Sequence, residues 1–149
     1  IFSLTGTHIT RNSLPLGDYI VSFWENQKGI NCTTPSVTVN ATNTSSLPVT
    51  SNVVTGSSAL GWTYHEYHFT NVTDVDISGS AFIDELRLYP SSAHIRSYNY
   101  IPSVGISYSS DVSGHMTYYQ YDDLNRLTYI RDQNNNIKKK IDYRLQQPE

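Results

Sequence analysis

From Ile1 to Pro90 apolar and polar positions alternate with a period of two, the spacing of strands that bury one face. Phe2 and Leu4 alternate with Ser3 and Thr5 before Gly6, which predicts a short strand. Pro15 and Gly17 then interrupt the chain. Residues 18–25 (DYIVSFWE) are β-branched and aromatic and predict a strand ending at the turn signal Lys28-Gly29. Between residues 31 and 58 Ser, Thr, Asn and Val dominate. Val37 and Val39 alternate with polar neighbours and Val53 does so more loosely, the pattern of weak or edge strands joined by long loops. Residues 61–69 (GWTYHEYHF) put Trp62, Tyr64, Glu66 and His68 on one face and Thr63, His65, Tyr67 and Phe69 on the other, which predicts a central strand. Val75 and Ile77 form a short strand turning at Ser78-Gly79-Ser80. Residues 81–89 (AFIDELRLY) close the series before Pro90, with Phe82, Asp84, Leu86 and Leu88 assigned to one face. Six or seven strands without a helical period between them predict an antiparallel β-sandwich over residues 1–90.

After Pro90 the pattern changes: aliphatic residues thin out, tyrosine dominates, and an internal repeat appears. Tyr98-Asn99-Tyr100 recurs as Tyr119-Gln120-Tyr121, an offset of 119 − 98 = 21. The same offset pairs His94 with His115, Ile106 with Leu127, Tyr108 with Tyr129 and Asp111 with Asp132. A third, partial unit begins at Ile141-Asp142-Tyr143, one residue late, since 143 − 121 = 22. A period of this length in strand-forming sequence predicts stacked hairpins over residues 91–149, each unable to bury its face alone. Asp122 to Asn125 and Asp132 to Asn135 read as turns. Gly114, Asn125 and Asn135 fall where a residue must take positive φ.

Composition narrows the function classes. Tyr 12 outnumbers Phe 4, Trp 2 and Met 1 together, and helix formers are thin, which excludes a helical bundle. A net charge of -3 gives no draw toward phosphate backbones, so nucleic acid is not an expected partner. Cys 1 permits neither an internal disulfide nor a cysteine zinc cluster. No window is long and apolar enough for a membrane span. The chain opens at Ile1 with neither a methionine nor a signal segment, and on that ground it is read as a piece of a larger protein.

The repeat resembles the RHS or YD repeat. The pattern stands as Tyr119, Tyr121-Asp122, Asn125-Arg126-Leu127, Asp132 and Asn134-Asn135, with Asn replacing two family glycines. The upstream copy, carrying Tyr98, Tyr100 and Asp111, is degenerate: Pro102 stands where an acidic residue is expected and Gly105-Ile106 replaces Arg-Leu. The succession IDELRLYP, degenerate repeat, YYQYDDLNRLTYIRDQNNNIKK and QPE is similar to the C-terminal region of large RHS-repeat surface proteins of Bacteroidetes-type bacteria. That resemblance implies an all-β chain: a jelly-roll, galactose-binding-like or carbohydrate-binding-like sandwich over 1–90, then repeat hairpins over 91–149. It also implies a secreted or cell-surface protein, possible cargo of the type IX secretion machinery, whose partner is the remainder of its own polypeptide. The function expected is non-catalytic, structural or adhesive. A glycan-binding module tethered by repeats and the shell of a toxin-delivery protein are the alternatives.

Candidate chemistry is sparse. His65-Glu66-Tyr67-His68 has its histidines three apart on a strand, so they point to opposite faces and do not form the His-Glu-x-x-His zinc motif. No Gly-x-Ser-x-Gly elbow exists, Asp122-Asp123 lies in a repeat turn and Asp84-Glu85 points to opposite sides of one strand, so no catalytic residue is assigned. Asp84, expected buried beside Phe82, Leu86 and Leu88, needs partners. Carboxylate hydrogen bonding is favoured over a structural Ca²⁺, for which only one ligand can be named, and no other cofactor is expected. Trp24, Trp62, Tyr64 and Tyr67 are candidates for a sugar-stacking platform, against the simpler reading that the tryptophans are core. The Asn-x-Ser/Thr matches at Asn31, Asn40, Asn43 and Asn71 follow from composition, and Lys138-Lys139-Lys140 reads as a solvated edge.

Overall fold

The computed structural model describes residues 1–27 and 36–144, the side chain of Ser57 apart, and divides the chain into two compact units, Ile1–Ala93 and His94–Glu149. The described residues are all-β, without helix, in antiparallel sheets. The turn signal at Lys28-Gly29 and the Asn31-Cys32-Thr33 match lie outside them.

The first unit holds β1 (Phe2–Ser3), β2 (His8–Arg11), β3 (Gly17–Asn26), β4 (Val37–Thr42), β5 (Pro48–Val49), β6 (Asn52–Ala59), β7 (Trp62–Val72), β8 (Asp74–Gly79) and β9 (Phe82–Pro90). One sheet runs β1-β9-β3-β7-β6 and the other β2-β8-β4-β5. Alternation decides what fills the space between them. Tyr19, Val21 and Phe23 of β3 and Tyr67 and Phe69 of β7 meet Val37, Val39 and Ala41 of β4 and Val75 and Ile77 of β8 in one buried cluster. Both β3 and β7 are flanked on two sides, as the two aromatic faces of β7 predict for that strand. The first predicted strand is shorter than its pattern suggests: β1 ends at Ser3, Phe2 is exposed, and only Leu4 enters the core.

Face parity breaks in β9. Trp24 pairs with Asp84 but Ser22 pairs with Arg87, so β9 carries one extra residue there, and Glu85 takes φ 52. This bulge corrects the assignment of Asp84 to one buried face with Phe82, Leu86 and Leu88. Leu86 and Leu88 pack on the core, whereas Phe82 is exposed and the Asp84 side chain is 41% exposed.

The second unit is one five-stranded meander: β10 (Ser97–Ile101), β11 (Gly105–Ser110), β12 (Met116–Tyr121), β13 (Leu127–Asp132) and β14 (Ile137–Lys140), in chain order. The 21-residue offset is visible in its defects. The β10–β11 register shifts between Asn99 and Tyr100 and the β12–β13 register between Gln120 and Tyr121, where 120 − 99 = 21.

Candidate functional site

The repeat motif builds its turns from one residue type in one geometry. At Asp132, Oδ1 accepts hydrogen bonds from the amides of Asn134 (3.0 Å) and Asn136 (2.9 Å). The Asp132 amide donates to the carbonyl of Asn136, the Asn135 amide donates to the carbonyl of Asp132, and Asn135 takes φ 66. Asp122 repeats this with Leu124, Asn125 and Arg126, and Asp111 with Ser113, Gly114 and His115. A short acidic side chain that captures its own backbone two and four residues on, followed by Asn or Gly in the left-handed region, is sufficient cause for the turn. Gly114 (φ 74), Asn125 (φ 58) and Asn135 occupy the positive-φ positions that the sequence marks. Sequence reasoning missed a fourth copy in the first unit, at Asn43: Oδ1 accepts from Ser45 and Leu47, and Ser46 takes φ 57. The signal was the offset from Asn43 to Ser46, the same three residues as from Asp132 to Asn135.

These turns also tune their carboxyls. The Arg126 guanidinium, with Nε and Nη2 both 2.8 Å from Oδ2, holds the Asp122 carboxyl below its ordinary 3.8. The Asn136 side-chain amide does the same for Asp132, outweighing slight desolvation.

Tyrosines tie one hairpin to the next. The Tyr121 hydroxyl donates to the carbonyl of Ile106 (3.0 Å), and the Tyr143 hydroxyl to that of Leu127 (3.1 Å). Donors lie 22 residues apart and acceptors 127 − 106 = 21 apart, so the contact recurs with the sequence period. What lies beneath each ring differs. A Cβ on Gly105 would stand 2.6 Å from Tyr121 Oη and 3.0 Å from Cζ, so Tyr121 needs glycine there. At the equivalent position Arg126 places its guanidinium carbon 4.7 Å from the Tyr143 ring centroid. The Gly105-for-Arg replacement that makes the upstream copy degenerate is thus matched by a closer-lying tyrosine. The Asp-centred turn itself is absent there, and the position equivalent to Asp122 is Ile101, which corrects the assignment of that position to Pro102. Ser103 takes φ 62 instead. Tyr98 and Tyr100 are exposed, Tyr119 and Leu127 half-buried.

The four aromatic residues proposed for a sugar platform do not form one surface. Trp24 and Tyr64 share the sheet face turned away from the core cluster, ring centroids 5.5 Å apart, but are only 5% and 4% exposed. Trp62 lies on the same side of β7, half-buried. Tyr67 lies on the opposite face, its ring stacked 5.8 Å from Phe23 and its hydroxyl donating to the carbonyl of Val37 (2.9 Å). Burial, then the nearby Glu25 charge, pushes the Tyr67 phenol up to about 12. The alternation on β7 fixes this separation, since Tyr64 and Tyr67 are an odd number apart. The Tyr64 hydroxyl donates to Glu66 Oε1 (2.9 Å) and Glu66 Oε2 lies 3.0 Å from His68 Nε2, whereas the buried Trp24 Nε1 and Ser22 Oγ have no hydrogen-bond partner among the described residues. Burial raises the Tyr64 phenol, and the nearby Glu66 carboxylate raises it further.

A pair of titratable groups that sequence reasoning left unassigned lies inside the sandwich. Glu25 and His65 are both fully buried, with Oε2 and Nε2 3.3 Å apart, an ion-pair distance without the alignment of a hydrogen bond. Oε1 accepts from the Ser36 amide (2.8 Å), the Ser36 hydroxyl (2.5 Å) and the Gln27 side chain (3.2 Å). Burial pushes the Glu25 carboxyl up, but His65, Ser36 and Gln27 together outweigh it and hold it below its ordinary 4.5. The sequence signal was parity: Glu25 continues the face of Val21 and Phe23, and His65 that of Tyr67.

Asp84 Oδ1 accepts a hydrogen bond from the Glu85 amide (3.0 Å). Among the described residues no group of three His, Cys, Asp or Glu side chains could hold a metal ion, and no helix is long and apolar enough to cross a membrane. Comparison of the chain with family models, curated proteins and solved structures returns no match.

Proposed function

We propose that this chain is a non-catalytic, architectural and adhesive segment of a large exported bacterial surface protein of the RHS/YD-repeat kind. In this reading a jelly-roll-like sandwich precedes the last repeats and decorates or caps the sheet they extend. The observation that carries the proposal is the tyrosine-to-carbonyl contact recurring at the sequence period, with Tyr121 on Ile106 and Tyr143 on Leu127. A contact that links each hairpin to its predecessor serves propagation of a sheet, since a lone hairpin is marginal in water. The Asp-centred turns at 111, 122 and 132 support the same reading, because their side chains are consumed by their own backbone and left with little capacity for a ligand.

Glycan binding is the second reading, favoured by the Trp24–Tyr64 pair with Glu66 and His68 beside it. Against it stands the burial of both rings, since a pyranose stacks on an open ring face. Titrating the full chain with soluble oligosaccharides and polysaccharides while following tryptophan fluorescence separates the two. The architectural reading expects no saturable change. A saturable change abolished by Trp24→Ala overturns it in favour of glycan binding.

A further inference from the structure

We propose that β6 is a strand-pairing edge through which two copies of this chain associate, antiparallel and about a twofold axis, joining their five-stranded sheets. Among the described residues β6 pairs with β7 alone, so alternate amides and carbonyls from Asn52 to Thr55 face away from the sheet, as far as the register shift between Thr55 and Ser58. Residues 52 to 56 are all exposed, with Val53 at 42% and Val54 at 45% on opposite faces.

The other edges carry what blocks such pairing. β14 is Ile-Lys-Lys-Lys, β2 ends in Arg11, β5 is two residues long and contains a proline, and β1 is also two residues long. β10 is uncharged but shorter, and follows Arg96. By contrast no Asp, Glu, Lys, Arg or His occurs anywhere from Gly29 to Tyr64, so β6 and its surroundings lack every charged gatekeeper.

A second copy is the occupant this chemistry fits. In an isologous antiparallel pair each residue meets its own strand, and like charges placed opposite each other are destabilising. An uncharged strand of Asn, Val, Thr and Ser meets itself without that penalty, whereas β14 or β2 would oppose cation to cation. Pairing one strand edge buries less than the roughly 1,200 Å² of a standard interface, so the association is weak and reversible.

Sedimentation equilibrium over a concentration series, on the full chain with Cys32→Ser to exclude disulfide dimers, tests the proposal. The expected result is a reversible dimer whose dissociation constant rises on the order of tenfold or more in Val54→Lys and is unchanged in Thr38→Lys, an exposed substitution on β4. A chain that stays monomeric at millimolar concentration overturns it. So does a dimer that Val54→Lys leaves intact or that Thr38→Lys weakens equally. Hydrogen exchange on the chain without these lysines needs no folded variant: β6 amides must gain protection as concentration rises, and unchanged exchange also overturns the proposal.

Discussion

Tyr121 of β12 donates its hydroxyl to the carbonyl of Ile106 on the neighbouring β11, and the ring that does so stands where any side chain on Gly105 would have to be. Tyr143 makes the same contact to Leu127 above the Arg126 guanidinium. The hydroxyl and the residue beneath the ring therefore act together as one coupling between successive hairpins.

Removing only the hydroxyl isolates its share. Tyr121→Phe is expected to destabilise the second unit by about 1 kcal/mol, the net value of one hydrogen bond, and to leave the Ile106 carbonyl to water. Urea unfolding followed by tyrosine and far-ultraviolet signals measures it.

Gly105→Ala attacks the same contact from below. Its Cβ forces the Tyr121 ring aside, with an expected loss of roughly 1–3 kcal/mol, typical of overpacking. The part of that loss that comes from the clash should vanish on a Tyr121→Ala background, leaving the strain of an alanine at φ 155. A double-mutant cycle that shows additivity contradicts the coupling.

The turn residue can be exchanged where the backbone capture is all that it does. Asn43 already makes the full turn with an amide oxygen, so Asp132→Asn should keep the β13–β14 connection while Asp132→Ala loosens it, as read by amide exchange of Asn134 and Asn136. The acid response follows the same logic. The Asp132 carboxyl lies below its ordinary 3.8 in the folded chain, so its contribution is complete above that value and is lost as pH falls through the lower folded one. Asp132→Asn should abolish this acid loosening at the turn.

Inside the sandwich, Glu25→Ala leaves His65 buried without its carboxylate and is expected to cost on the order of 3 kcal/mol. Because the folded Glu25 carboxyl lies below 4.5, its stabilisation is full above that pH and falls away below it. Thermal melts of the chain and of Glu25→Gln between pH 3 and 7 (about that range) should converge toward the acid end. Parallel curves contradict the assignment.

Much of this was legible in the sequence, for physical reasons that differ by element. On β4, and on β7 as far as Phe69, the period of two assigns every side chain its face; beyond Phe69 the register against β3 shifts, Asn71 takes φ 54, and Val72 joins Phe69 in the core. On β9 the same rule failed at Asp84, because the bulge at Glu85 shifts the later residues and no residue type announces it. Asn125, Asn135 and Gly114 declared their positive φ through their chemistry. The Tyr121–Ile106 contact could not be read, since its partners are 15 residues apart and meet only once β11 and β12 pair. The Glu25–His65 pair was implicit in face parity but needed the β3–β7 register, Phe23 opposite His65, to bring the two together.

The coupling between hairpins is tested most directly by proton NMR of the full chain. The account predicts through-space contacts from the Tyr121 ring protons to the Gly105 α-protons and from the Tyr143 ring to the Arg126 side chain, with Gly105→Ala weakening the first and leaving the second intact. Intact strand pairing in the second unit with neither ring contact present would contradict it.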